Sequence, residues 1–260
     1  MKWMLSVAIA ASLSGLAAGA AVSAPSSRDG LPGYVSKAVA DPSRGDDAKI
    51  DGRRKVADLV AFSEAKPGDS VLELIPGSGY FTKVFSKVVG PEGHVYALWP
   101  TPYDDVSHPD SDVMRKLAAQ PGFGNIQTLV QPADALTAPT PLDVVFTSQN
   151  YHDYPDKFMG PTDPAILNKA VFAALKPGGT YIVVDHVAEA GSGLRDTDTL
   201  HRIDPATVKQ QVTKAGFEYV GESAVLRNPN DTHKVKVFDK SIRGHTDQFA
   251  YKFRKPGSAK

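Results

Sequence analysis

The 260-residue chain contains no cysteine. This absence excludes a disulfide scaffold, a thiolate zinc site, an iron–sulfur cluster and a cysteine nucleophile. The chain also lacks an excess of charge of either sign, because it carries 29 basic and 29 acidic residues. A broad nucleic-acid-binding face would require a basic excess, so no nucleic-acid partner is expected.

Long apolar runs are absent except near the N-terminus. Residues 1–24 combine Lys2, an apolar run from Leu5 to Ala21 and small residues at the usual cleavage spacing, which is the pattern of a secretory signal peptide. We expect cleavage after Ala20. No later segment approaches the roughly 18 apolar residues of a membrane span. The mature protein is therefore predicted to be periplasmic or secreted, without stable membrane insertion.

A polar segment and one large domain are predicted after the signal peptide. Residues 25–51 are polar, with Pro, Gly and Arg, and are predicted to lie on the surface, whereas residues 52–260 are predicted to form the domain. Apolar runs of strand length alternate with apolar residues at helical spacing. The predicted strands are 70–74, 94–98, 126–130, 142–147, 180–185, 217–225 and 248–253, and the predicted helices are 53–62, 80–89, 110–119, 164–175 and 205–215.

This alternation indicates a fold class. Near-continuous apolar strands separated by helices are typical of a parallel sheet that is covered on both faces. No helix separates the last two strands, so they are expected to pair antiparallel. The sequence therefore predicts a single Rossmann-like α/β domain. Its seven-stranded sheet is mostly parallel with an antiparallel final strand, and helices lie on both faces.

A glycine-rich turn follows the first predicted strand, in the run ELIPGSGY from Glu73 to Tyr80. In open α/β sheets, ligands bind beyond the carboxyl ends of the strands. Glycine lets the backbone approach a ligand without a Cβ atom in the way. The helix that follows directs free N–H groups to the same place.

This turn, together with Lys-Pro-Gly-Gly at 176–179 and Ala-Gly-Phe at 215–217, resembles the class I S-adenosylmethionine (SAM) methyltransferases. The resemblance covers about residues 50–255. Within that superfamily the chain looks most like the exported bacterial "predicted methyltransferase" proteins. Their pattern runs Pro-Gly-x-Gly-Tyr, Asn-x-His, Asp-His and His-Arg-Ile-Asp, and it is matched here at 76–80, 150–152, 185–186 and 201–204.

The resemblance implies a SAM cofactor and methyl transfer to a small-molecule nucleophile. Glu73 would organise the glycine turn and approach the methionine amino group, while residues 149–154 would border the methyl group. The residues predicted to contact the cofactor are Glu73, Pro76, Gly77, Ser78, Gly79, Tyr80, Trp99, Asp134 and Ala135.

Two positions depart from the family pattern. Ile75 stands where the first glycine of the motif belongs. Trp99 ends the second strand, where the family holds the ribose hydroxyls with a carboxylate. An indole cannot accept those hydrogen bonds, although it could stack on the adenine. Asp104 or Asp105 could supply the missing carboxylate.

Polar side chains follow the fourth and fifth strands. His152 could accept a proton from an oxygen or nitrogen nucleophile, or orient the acceptor. The rings of Tyr151 and Tyr154 could line the pocket and face the sulfonium. The predicted catalytic residues are Asn150, His152 and Asp153, and the predicted substrate-side residues are Tyr151, Asp185, His186, His201 and Arg202.

Other interpretations remain open at this edge of the sheet. His152, His186 and His201, with Asp153 or Asp185, are a plausible zinc or iron set, although their spacing follows no local metal motif. No resident metal is predicted. The alternative function is therefore an exported methyltransferase fold that no longer uses SAM and binds a ligand or metal through this His-rich rim.

A nicotinamide oxidoreductase is a poorer interpretation. Its glycine fingerprint requires Gly or Ala where Thr82 stands, and an acidic residue near Trp99. Two groups of basic residues could instead bind an anionic substrate or be solvated. They are Arg44, Arg53 and Arg54 before the sheet, and Lys234, Lys236 and Arg243 between the last two strands. The sequence leaves the oligomeric state open.

Overall fold

The computed structural model describes residues 30–106, 110–160 and 162–257. The predicted signal peptide lies outside these described residues. The helices are α1 (Gly33–Val39), α2 (Asp51–Arg54), α3 (Val56–Ser63), α4 (Tyr80–Val89), α5 (Thr101–Val106), α6 (Asp110–Ala118), α7 (Pro164–Ala174), α8 (Thr197–Leu200) and α9 (Pro205–Lys214). The strands are β1 (Ser70–Leu74), β2 (His94–Pro100), β3 (Ile126–Gln131), β4 (Leu142–Ser148), β5 (Leu175–His186), β6 (Glu218–Ser223) and β7 (Gln248–Arg254). Within these ranges, no helix is both long enough and apolar enough to cross a bilayer.

The described residues contain one seven-stranded sheet with the order β3-β2-β1-β4-β5-β7-β6. Strand β7 pairs antiparallel with both β5 and β6, whereas the other pairs are parallel. The predicted fold class is therefore confirmed, including the antiparallel pairing of the last two strands. Strand β5 begins earlier than predicted, because Leu175 pairs with Leu142 before a shift in register.

The sheet order reverses between β1 and β4, and this reversal fixes where a ligand can bind. Leu74 pairs with Thr147 across these two strands, and Thr147 pairs with Val183 of β5. The three strands thus end side by side. The glycine turn, the loop after β4 and the end of β5 meet at one edge.

The segment before β1 is more firmly attached than its polar composition suggests. Helix α1 buries Val35 and Ala38 in the core. Arg44 is buried too, and it donates to both carboxylate oxygens of Asp51 at 2.8 and 2.5 Å. Tyr80 also donates to Asp51, at 2.7 Å. Residues 25–51 were predicted to lie on the surface because they are polar. The sequence did not show that Asp51 neutralises Arg44 and so allows its burial.

Arg202 anchors the long insertion between β6 and β7, residues 224–247. Its side chain is fully buried and donates to Asp231 at 2.9 and 3.1 Å. It also donates to the carbonyl oxygens of Val187 and Val235. The prediction of Arg202 as a substrate-side residue is therefore wrong, because its guanidinium is satisfied inside the protein.

Candidate functional site

A cavity of about 560 Å³ opens where β1, β4 and β5 end. We call it the main cavity. Its volume lies in the range of about 300–1,000 Å³ that is usual for small-molecule sites. All three predicted catalytic residues line it, as do four of the predicted cofactor-contacting residues. The lining includes Pro76, Gly77, Ser78, Tyr80, Asn150, His152, Asp153, His186 and His201.

The two glycines of the turn serve different purposes. Gly77 has a φ of 57°, and a Cβ atom added there would meet nothing within 4 Å. A larger residue at Gly77, which lines the main cavity, would therefore project into open space. Gly79 does not line the cavity, and its added Cβ would lie 2.7 Å from Met114 Cε. Gly79 thus lies where the turn packs against α6, and its φ of 87° is in the left-handed region that favours glycine.

Ile75 adopts a left-handed backbone conformation, which glycine adopts far more readily than other residues. Its φ is 52°, in the left-handed region that β-branched residues rarely occupy. The residue is held there by its buried side chain and by two hydrogen bonds. Its N–H donates to the Leu98 carbonyl at 2.8 Å, and its carbonyl accepts from Asn150 Nδ2 at 3.0 Å. The shape of the turn is thus kept at the cost of local strain.

Glu73 lies beneath the glycine turn and does not line the main cavity. Its buried carboxyl accepts a hydrogen bond from Thr82 Oγ1 at 2.6 Å, which connects β1 with α4. Burial raises the pKa of Glu73 to about 8, although the Thr82 hydrogen bond opposes this shift. In this arrangement Glu73 supports the turn, and the predicted approach to a ligand amino group is not seen.

Asp185 positions His152. The Asp185 carboxylate is fully buried and lies 2.8 Å from His152 Nδ1, and it accepts the His152 backbone N–H at 2.9 Å. This contact makes Nδ1 the donor and turns Nε2 away from Asp185. Asp185 therefore acts through His152, and its prediction as a substrate-side contact is corrected.

The electrostatics around His152 are dominated by burial and by carboxylates. Burial alone would lower the pKa of His152, but Asp185 and Asp153 outweigh it and raise that pKa to about 9. Burial also raises the pKa of Asp153, to about 7. The His152 imidazole is thus held as a cation at neutral pH unless another cation enters the cavity.

His201 and Asp153 complete a cluster of three potential ligands. His152 Nε2 lies 3.3 Å from both His201 Nδ1 and Asp153 Oδ1, and the latter two atoms are 3.9 Å apart. Nitrogen and oxygen ligands on a tetrahedral zinc ion, with bonds of about 2.0–2.1 Å, lie about 3.3 Å from one another. The cluster could therefore hold either a shared proton or a metal ion.

His186 does not join this cluster. Its Nδ1 lies 2.7 Å from Thr246 Oγ1, and burial lowers its pKa to about 3, so the ring is neutral. Among the described residues, the group able to hold a metal consists of His152, Asp153 and His201. Two of the three predicted rim histidines are thus brought together, and the third faces the cavity separately.

The position of Trp99 does not fit its predicted contact with the cofactor. The indole is fully buried in the core and does not line the main cavity. It cannot stack on a ligand in this conformation. Asp104 and Asp105 lie on α5, which contributes Tyr103 and Val106 to the cavity lining, but neither carboxylate is part of that lining. Neither Asp104 nor Asp105 therefore faces the main cavity in place of the carboxylate that is missing at Trp99.

Four further residues that were predicted to contact a ligand lie outside the main cavity. Tyr151 is buried, and its hydroxyl accepts from Asn168 at 2.8 Å and donates to Gln211 at 3.0 Å. Tyr151 and the equally buried Tyr154 therefore pack beneath the loop instead of lining the cavity. Asp134 lines a separate cavity, and Ala135 is exposed outside the main one.

Aromatic and apolar residues that the sequence did not indicate complete the main cavity. Tyr103 and Phe158 face each other, with ring centroids 5.9 Å apart. Val237 and Phe238 come from the insertion, and Phe238 is 53% exposed. The sequence signal that could have identified them is the apolar pair Val237-Phe238 within an otherwise polar segment.

Parts of the chain are similar in sequence to known methyltransferases. No family model matches the chain. The ubiquinone/menaquinone biosynthesis C-methyltransferase of Vibrio parahaemolyticus is 28% identical over 194 residues, which cover 73% of this chain and 63% of that protein. The chain thus spans less than two thirds of the length of this relative. The protein-L-isoaspartate O-methyltransferase of Ignicoccus hospitalis is 36% identical over 81 residues, 31% of this chain and 36% of that protein.

Solved structures show the same architecture. A SAM-dependent methyltransferase from Aquifex aeolicus has a TM-score of 0.56 and 17% identity, covering 83% of this chain and 98% of its own. The cyclase SpnF has a TM-score of 0.59 and 17% identity, covering 79% of this chain and 81% of its own. The chain therefore has the Rossmann-like fold of the class I methyltransferases, and that fold also carries a protein named as a cyclase.

The strain at Ile75 predicts that a glycine variant is more stable than an alanine variant at this position, which reverses the usual order. Ile75→Gly and Ile75→Ala both remove a buried side chain, a loss of about 2–5 kcal/mol. Only glycine relieves the left-handed conformation, which costs about 1–2 kcal/mol for other residues. We expect urea unfolding to show Ile75→Gly as the more stable of the two, by about 1 kcal/mol. At Val144 of β4 the usual order, alanine above glycine, serves as the control. The same order at position 75 would contradict the strain.

The burial of Glu73 predicts a pH-dependent stability. The native carboxyl holds its proton up to about pH 8, whereas the unfolded chain releases it near pH 4.5. The native state therefore binds more protons in this window, and stability falls as pH rises through it. Glu73→Gln keeps a carbonyl acceptor for Thr82 and removes the titration.

Urea unfolding of both proteins at several pH values tests this expectation. The wild type should lose stability relative to Glu73→Gln between pH about 4.5 and about 8, by at most about 1.4 kcal/mol per pH unit. A difference that does not vary with pH would show that Glu73 is ionised in the folded protein.

Proposed function

We propose that this protein transfers a methyl group from SAM to a small-molecule nucleophile. The observation that carries the proposal is the continuity of the main cavity. The glycine turn at the reversal point of the sheet and the Asp185-oriented His152 both line this cavity. A cofactor at the turn and an acceptor at His152 would therefore meet inside one cavity.

The glycine turn fits a nucleotide-type cofactor. Gly77 and Ser78 line the cavity, and the space that a Cβ atom of Gly77 would fill is open. The start of α4 follows directly and brings free N–H groups to the same place. Tyr103 and Phe158 supply aromatic surface. When bound, SAM would supply an electrophilic methyl group on a sulfonium.

The chain's own contribution to methyl transfer is orientation, proton handling and exclusion of water. Asp185 holds the His152 ring, so Nε2 can bind or accept the acceptor's proton. The cationic form of His152 would be disfavoured beside a sulfonium, because like charges repel. Phe158, Val237 and Phe238 shield the cavity with apolar surface.

The relatives support this proposal, since both are named methyltransferases and act, by name, at carbon and at oxygen. We further propose that the reaction takes place outside the cytoplasm, on the basis of the signal-peptide pattern in residues 1–24.

Calorimetric titration with S-adenosylhomocysteine (SAH), the demethylated cofactor, tests the proposal. We expect micromolar binding that disappears in Gly77→Arg, because the new side chain fills the cavity at the turn. Gly68→Arg is the matched control. Gly68 also has a positive φ, 85°, and open space at its Cβ, but it lies in an exposed turn outside the cavity. A folded wild-type protein that binds neither SAH nor SAM at millimolar concentration would contradict the proposal.

A second candidate function is metal-assisted chemistry without SAM. The converging atoms of His152, Asp153 and His201 favour it, as does the lack of a ribose-binding carboxylate at Trp99. SAM is made in the cytoplasm, so an exported enzyme would need a supply of it. The cyclase among the fold neighbours illustrates that a fold does not fix a reaction.

Titration of chelator-treated protein with Zn²⁺ and Mn²⁺ tests this second candidate. It predicts one tightly bound ion per chain, lost in His201→Ala and retained in His245→Ala, a variant of an exposed histidine that lies outside the cavity. Binding of SAH with no stoichiometric metal would eliminate it.

A further inference from the structure

A second, smaller cavity adjoins the main one. It has a volume of about 130 Å³ and is lined by α2, the end of β4 and the insertion. We call it the side cavity. Arg54, Gln149, His186 and Phe238 line both cavities, so the two share a wall. A molecule in the main cavity could therefore extend a substituent into the side cavity.

Arg54 is the central residue of this shared wall. Its half-buried guanidinium donates to Gln149 Oε1 at 2.8 Å and to Ser148 Oγ at 3.3 Å, both of which are uncharged. It lies 5.2 and 5.1 Å from the rings of Tyr80 and Phe81. Within the described ranges, no carboxylate lies within ion-pair distance of Arg54. Burial lowers its pKa, and the buried Glu73 carboxyl opposes this shift without reversing it.

Two fully buried arginines have carboxylate partners, unlike Arg54. Arg44 and Arg202 each bind a carboxylate through two nitrogens, Asp51 and Asp231 respectively. Placing a cation among neutral groups is unfavourable unless an anion compensates it. Arg54 is therefore arranged as one half of an ion pair whose other half is missing from its described surroundings.

Two more arginines, from distant parts of the chain, line the side cavity. Arg53 neighbours Arg54 on α2, and Arg243 belongs to the insertion. Both are exposed, and neither forms an ion pair with a described carboxylate. Gly244 makes room for this arrangement, because an added Cβ would overlap the Arg53 guanidinium. The Arg53 side chain thus packs directly against the insertion.

Neutral hydrogen-bonding groups line the rest of the wall between the cavities. Gln149 donates to Gln248 at 3.0 Å, Gln248 to Thr246 at 3.3 Å, and Thr246 lies against His186 at 2.7 Å. None of these groups carries a negative charge that would compete for the arginines. Apolar surface from Leu59 and Leu226 completes the lining.

We propose that the side cavity binds a carboxylate or phosphate group of the methyl acceptor, so that the substrate is an anionic small molecule. This inference rests on the proposed function, because it assumes that the acceptor occupies the main cavity. Arg54 would bind the anion at the junction of the cavities, with Arg53 and Arg243 closing over it.

Matched pairs of charged and neutral probes test this inference. Benzoate and phenyl phosphate carry the two anionic groups, and benzamide and phenol are their neutral counterparts. We expect ligand-observed NMR to give at least tenfold tighter binding for one anion than for its neutral partner. Whichever anion binds more tightly identifies the group. Equal binding of charged and neutral probes would overturn the inference.

Substitution of the three arginines tests where the anionic probe binds. Arg243→Gln and Arg53→Gln change exposed side chains and should weaken the anionic probe at least tenfold, as should Arg54→Gln. Lys240→Gln removes a charge from the same insertion outside the cavity and should have no effect. Unchanged probe binding in Arg243→Gln and Arg53→Gln would overturn the proposal.

SAH titration of the same variants separates the two proposals. We expect SAH affinity in Arg243→Gln to equal that of the wild type. If the arginine variants lose SAH instead of the probes, the arginines serve the cofactor's carboxylate and the inference is wrong. If the protein binds SAH but not the anionic probes, the inference is overturned and the proposed function stands. Anion binding without SAH binding would contradict the proposed function and leave an anion site on this fold.

Discussion

The buried carboxylate of Asp185 is the contact on which the candidate site depends. It accepts three N–H groups: the backbone of His152, the His152 ring and the backbone of His186. A buried carboxylate is tolerated only when it is hydrogen-bonded in this way. These bonds tie the loop after β4 to the end of β5 and direct His152 Nε2 away from Asp185. His152, His201 and Asp153 converge because this loop is fixed.

Backbone strain is concentrated at the same place. Six described non-glycine residues have positive φ, and three of them line the main cavity: Ile75 (52°), Gln149 (68°) and His201 (53°). Such conformations persist only where surrounding contacts impose them, and they cluster at functional sites. Gln149 and Ile75 follow β4 and β1 directly, so strain occurs where the chain turns out of the sheet into the cavity.

The sequence predicted the sheet well because buried parallel strands are continuous apolar runs. Strand β1 and helix α4 have the predicted bounds, since a Lys-Pro-Gly-Asp turn precedes β1 and two glycines lie between the two elements. The position of His152 at the cavity followed from its place after β4. The direction of neighbouring side chains did not follow, because a short helical turn at Tyr151–Asp153 buries Tyr151 beneath the loop. The partners of Arg44 and Arg202 were also inaccessible to local pattern reading.

The sequence also could not show which arginines are available to bind a ligand. In the sequence, Arg53 and Arg54 are as compatible with solvated charge as Arg44 is. Only the three-dimensional arrangement separates Arg44, which is paired with Asp51, from Arg54, which has neutral partners. The long insertion contributes Arg243 and Phe238 to the two cavities. The sequence could not separate Arg243, which lines the side cavity, from Lys234 and Lys236, which do not line it.

We propose that one cavity brings a cofactor at the glycine turn to an acceptor at His152. The position of the SAH sulfur in a crystal structure of the complex tests this claim most directly. We expect the sulfur to lie in the main cavity between Gly77 and His152, with Nε2 of His152 facing the space beyond it. SAH bound outside this cavity, or a metal ion between His152 and His201 with no SAH bound, would contradict it.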